Sequence, residues 1–173
     1  MLIQGILSIS GQPRRSLTIV RRRIHSWRRS LCVDNNIFLL LAAAGSGIAA
    51  FLHVGCIIFR ANWYRFFGAG EKMARLAEAG SPVPTRITSA IVMVLLMWTY
   101  AALAGMGSVP KPPLLRYILI GIALIYLMRA CFVGLLMKAM PGNSMRFWLW
   151  SSLICLALAA IYLMGTKQAW ASL

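Results

Sequence analysis

Acid is what this chain has least of. Three carboxylates, Asp34, Glu71 and Glu78, stand against 18 Lys and Arg, and none of the three lies inside a long apolar run. A proton-coupled exporter would carry an acid within a span, so that class is disfavoured. The four cysteines, Cys32, Cys56, Cys131 and Cys155, occur singly. Without a CxxC pair there is no zinc or thiol-oxidoreductase signature, and no disulfide is expected. Cys56, Cys131 and Cys155 fall in apolar runs, where a reduced thiol behaves as a small hydrophobe. HExxH, a glycine-rich phosphate loop, GxSxG and a DxD pair are also missing. No catalytic residue, cofactor or metal ligand set is nominated.

What the chain has in quantity is apolar surface. Of 173 residues, 60% are hydrophobic and only 12% charged, with mean hydropathy +0.76. Soluble domains carry about 25% charged residues, so composition alone indicates a membrane protein. The formal charge of +15 would suggest nucleic acid in a soluble chain. Here the basic residues lie before and between apolar runs, which suits topology signals and anionic lipid headgroups. Nucleic acid is not an expected partner.

Residues 1–35 form a basic tail with seven arginines: Arg14, Arg15, Arg21, Arg22, Arg23, Arg28 and Arg29. The opening MLIQGILSIS is too short to span and precedes the basic cluster, the wrong order for a secretory signal peptide. An Arg-rich, Ser-rich, acid-poor start fits a mitochondrial transit peptide or a cytoplasmic tail. A later start near Leu31 or Val33 is a third reading. The tail is expected to be disordered or to lie on the membrane surface.

Four runs then reach spanning length, at about 37–59, 87–107, 114–137 and 147–164. The expected fold is all-α, an integral membrane four-helix bundle over 36–167. Asn35 and Asn36 are placed to cap the first helix. Ala43, Gly47, Ala50 and Gly55 supply small residues that let helix backbones approach. The longest loop, Arg60 to Arg86, opens with Trp63, Tyr64, Phe66 and Phe67, rings that prefer the membrane interface. Its Ala69–Ala79 stretch predicts a short interfacial helix with Glu71 and Arg75 paired at i,i+4, closed by Gly80, Pro82 and Pro84. Call the side holding the N-terminus side A and the side holding this loop side B.

Two ionisable residues lie inside spans. Arg129 is an interior charge whose insertion costs about 2.5–3.5 kcal/mol on translocon scales. His53 lies six residues before the side-B end of the first span and Arg129 eight before that of the third, depths of about 9 and 12 Å. Glu71 roofs the same half, and Tyr126 is one turn from Arg129. One reading is a polar pocket of His53, Arg129, Glu71 and Tyr126, with Arg129 holding an anion or Glu71. The other is that Arg129 snorkels to the headgroups and His53 is a neutral imidazole bonded to a neighbouring backbone. His53 and Cys56, at i,i+3, lack the companions of a metal site.

The stretch WYRFFGAGEKMARLAEAGS, Trp63–Ser81, following a His near the end of a first span, resembles small bacterial four-helix inner-membrane proteins of the DoxX-like kind. The resemblance covers residues 37–165 and leaves the tail outside. It implies a bacterial inner membrane location and four-helix architecture, and carries no activity. The mitochondrial inner membrane is the alternative location. Side A holds ten basic residues, the seven of the tail with Lys111, Arg116 and Lys167, against seven on side B. Both termini are therefore expected in the cytoplasm, and removing the tail would reverse the balance. The expected role is a non-enzymatic accessory or small-ligand-binding bundle in contact with lipid, with a membrane protein partner or a second copy. A membrane-embedded enzyme or transporter built on the polar pocket is the alternative.

Overall fold

The computed structural model describes residues 36–68, 70–139 and 143–173, and every regular element among them is a helix. The basic tail, Asn35 and the Pro141–Gly142 turn lie outside the described residues. Asn36 opens α1 (Ile37–Phe59): its Oδ1 accepts the Leu39 amide at 3.0 Å, satisfying a first-turn donor. The Nδ2 of the same buried side chain donates to the Gly165 carbonyl oxygen at 2.7 Å. One residue thus starts a helix and ties it to the far end of the chain.

At Arg60, φ 52°, the chain turns directly from α1 into α2 (Ala61–Phe66). Gly68 and Gly70, both at positive φ, then reverse it into α3 (Glu71–Glu78). The next helix, α4 (Val83–Gly105), begins before the span expected from Ile87 because Pro82 and Pro84 occupy its start. A proline there has no helical amide to lose.

The run expected as one span over 114–137 is divided into α5 (Leu115–Cys131) and α6 (Val133–Ala139), with the break at Phe132. The break leaves Arg129 in the last turn of α5, where unpaired carbonyls favour a cation. Ser144 then caps α7 (Met145–Ala169), its Oγ accepting the Phe147 amide at 3.1 Å.

Three helices, α1, α4 and α7, are long and apolar enough to cross a membrane, the make-up of a multi-pass membrane protein. At 17 residues α5 rises about 26 Å, short of the ~30 Å hydrocarbon core.

Consecutive long helices pair, α1 against α4 and α5 against α7, and contacts of α1 with α7 and of α4 with α5 join the pairs. Among the described residues α1 and α5 make no close backbone approach, so they stand on a diagonal. Small residues set these distances. Leu39, fully buried, is held between Gly105 and Gly165. A Cβ on Gly105 would fall 2.7 Å from the Leu39 Cδ1, and one on Gly165 3.0 Å from the Leu39 backbone nitrogen. Ala42, Ala43, Ser46 and Ala50 carry the same buried stripe along α1. Ile48, Phe51, Met93, Met97, Leu149 and Leu153 are exposed. Such a belt is a liability in water and is well solvated by hydrocarbon.

Candidate functional site

The polar side chains between the helices divide into separate groups. At the centre, Ser46 of α1, Tyr126 of α5 and Tyr162 of α7 meet with the Trp98 carbonyl oxygen of α4, and the three side chains are buried. Proton counting assigns the donors. Tyr162 donates its only hydroxyl proton to the Trp98 carbonyl at 3.0 Å. Ser46 Oγ, 3.0 Å from the Tyr162 hydroxyl, therefore donates to it. Tyr126 in turn donates to Ser46 across 3.2 Å. The chain runs Tyr126 to Ser46 to Tyr162 to Trp98, and each hydroxyl proton is used. The Trp98 and Tyr126 rings, 4.7 Å apart and edge to face, close it on one side.

Toward side B the guanidinium of Arg129 lies between α5 and α7. Its Nη2 donates to Ser151 Oγ at 3.1 Å, and its Cζ sits 5.0 Å from the centroid of the Trp148 ring, itself buried. That is hydrogen-bonding and cation–π geometry. Among the described residues the buried Nη1 has no hydrogen-bond partner, and the same holds for the hydroxyl of Ser152, next to Ser151 on α7. A buried donor without a partner loses its hydration uncompensated.

Glu71 is elsewhere. Arg65 of α2 presents its Nε–Nη2 edge to Glu71, at 3.0 and 2.8 Å, and its Nη1–Nη2 edge to Glu78. Arg75 adds the i,i+4 contact at 3.4 Å to Glu71 anticipated from the spacing. These groups are exposed. The guanidinium of Arg65 holds the Glu71 carboxyl down at about 2 and that of Glu78 below its usual range, while the two carboxylates push Arg65 up. The bidentate pairing locks α2 to α3. Beneath it Cys56, Ala61, Tyr64, Ala74 and Ala77 form a second small core. The Tyr64 hydroxyl bonds Thr88 Oγ1 at 2.8 Å, fixing this cap to α4.

His53 makes a third arrangement: Nδ1 lies 2.7 Å from the Ala49 carbonyl oxygen one turn back on its own helix, not on a neighbour. The four side chains nominated from sequence thus go to four partners. Tyr126 takes Ser46, Arg129 takes Ser151, Glu71 takes Arg65 and His53 takes Ala49. No hydrogen bond or ion pair joins any two of them among the described residues.

Sequence reasoning passed over Ser46, Tyr162 and Ser151. The available signal was a hydroxyl placed one helical turn from small residues, such as Ser46 between Ala43 and Ala50, a face already marked as an interface. Among the described residues no three His, Cys, Asp or Glu side chains gather as metal ligands would. The group with spare bonding capacity is Arg129 with Ser151 and Ser152, and its chemistry is recognition of an oxyanion. No protein-family model, curated protein or solved structure matches this chain.

Proposed function

We propose that this chain is a non-enzymatic four-span protein of the bacterial inner membrane, an accessory bundle that supports a membrane partner or a small ligand. In this reading α5 and α6 together make the third span, both termini are cytoplasmic, and α2 and α3 lie at the side-B interface. The exposed Phe59 and Phe66 rings then sit among headgroups. The observation that carries the proposal is the closed hydroxyl chain. It links one group from each of the four long helices and uses its own protons, which suits a fixed scaffold better than a proton path or a reacting centre.

Two measurements test this reading. Labelling of a Lys167→Cys variant in intact cells by an impermeant thiol reagent is expected to fail; labelling would overturn the cytoplasmic assignment of the termini. Mild-detergent purification is expected to retain a specific membrane partner, and His53→Ala is expected to leave cellular function intact. A lost cellular phenotype in His53→Ala at unchanged protein level would overturn the non-enzymatic role.

A further inference from the structure

Among the described residues no carboxylate is left for the Arg129 niche: Glu71 and Glu78 are both held by Arg65 on the loop. A cation among apolar helices whose buried Nη1 has no partner among the described residues calls for a counter-charge.

We infer that Arg129, between α5 and α7, binds the phosphodiester of an anionic phospholipid, with Ser151 as second donor. Five observations favour this occupant. The Arg129 guanidinium keeps Nη1 unbonded beside Nη2, so once uncovered it offers the planar fork that phosphate oxygens accept in pairs. Ser151 Oγ accepts from Arg129 and can turn its own proton from the neighbouring Cys155 thiol to a phosphate oxygen. Around the niche, Lys138 before α7 and Arg146 in its first turn are exposed cations on the same end, adding the field expected of a site for acidic headgroups. Met128 and Phe132 near the end of α5, with Leu149 and Leu153 on α7, are exposed apolar side chains against which acyl chains can lie. Ser151 is six residues into α7, about 9 Å below its start, within snorkelling reach of the headgroup level. Nη1 is enclosed in the chain alone, so entry of the headgroup displaces the side chains that cover it.

The inference rests on the membrane-spanning reading but not on the accessory role, and retention of the chain in alkaline-carbonate-washed membranes tests that footing separately. The purified full chain is placed in nanodiscs of mixed phosphatidylcholine and phosphatidylglycerol, and retained lipid is counted by native mass spectrometry. Wild type is expected to retain phosphatidylglycerol about tenfold over its share of the mixture, the worth of one charge-assisted bidentate contact. Arg129→Gln is expected to fall to parity, Arg129→Lys to an intermediate value because charge stays and the fork is lost, and Ser151→Ala to weaken retention. Lys138→Gln with Arg146→Gln is expected to reduce retention less than Arg129→Gln. No preference in wild type overturns the inference without any variant having to fold. So does equal retention by Arg129→Gln, displacement of the lipid by inorganic phosphate at equal concentration, or a partner carboxylate found on the guanidinium.

Discussion

Two polar groups lie between the helices of this protein, and they are built on opposite terms. In the central chain Tyr126, Ser46 and Tyr162 use every hydroxyl proton on one another or on the Trp98 carbonyl. In the Arg129 niche one guanidinium nitrogen is bonded to Ser151 while Nη1 and the neighbouring Ser152 hydroxyl are left over. A satisfied network in a low-dielectric interior rigidifies the helices it joins; an unsatisfied one is costly and attracts a partner. The first group is glue by this criterion. The second is the site proposed to take a phospholipid headgroup.

The largest expected effect breaks the glue by volume and bonding together. Ser46→Leu removes two hydrogen bonds and forces bulk into a fully buried position, and about 3 kcal/mol of stability should be lost. Unfolding in detergent by steric trapping would measure it; a loss below about 0.5 kcal/mol would show that the central chain holds nothing. Ser46→Ala isolates the bonding. With membrane hydrogen bonds averaging about 0.6 kcal/mol, a loss of about 1–2 kcal/mol is expected. Combining it with Tyr162→Phe should cost less than the sum, because the Ser46–Tyr162 bond is shared.

The contrasting experiment is Arg129→Leu. Replacing a half-buried charge by a hydrophobe is often neutral or stabilising, so unfolding stability should stay within about 1 kcal/mol of wild type or rise. A loss as large as that of Ser46→Ala would erase the distinction between the two groups and make Arg129 a structural tie.

The smallest effect belongs to the exposed clamp of Arg65 with Glu71 and Glu78. Both carboxyls are depressed in the folded chain from an ordinary value near 4.5, Glu71 to about 2, chiefly by hydrogen bonds from Arg65. A depressed acid stabilises the fold above its unfolded value and ceases to do so as pH falls through its folded one. The contribution is therefore complete above about pH 5 and is lost toward pH 2. Protection factors of the α2 and α3 amides, each taken against the intrinsic exchange rate at the same pH, should fall over that window, and a Glu71→Gln, Glu78→Gln double variant should remove the dependence. Unchanged protection across the window would mean the apolar contacts of Tyr64, Ala74 and Ala77 hold the cap alone.

Sequence alone determined the helical class, the apolar runs and the helix boundaries that depend on local chemistry. Asn36 at the start of α1 and the Glu71–Arg75 spacing are effects within a turn or two of chain, so they can be read from neighbours, whereas Pro82 and Pro84, read as closing the preceding helix, instead open α4. Arg129 stood out as an interior charge for the same reason. Tertiary structure decided what each polar group bonds. Glu71 was expected to roof the half that holds Arg129, but Arg65 lies six residues from Glu71 and offers a bidentate fork on the same cap, so local pairing won. Tyr126 was legible as a neighbour of Arg129 along α5, yet its hydroxyl crosses the diagonal to Ser46, 80 residues away in sequence. The break at Phe132 and the tyrosine hydroxyl chain likewise depend on which helices become neighbours. Periodicity and composition do not encode that choice; the close approach of small residues at Leu39, Gly105 and Gly165 makes it.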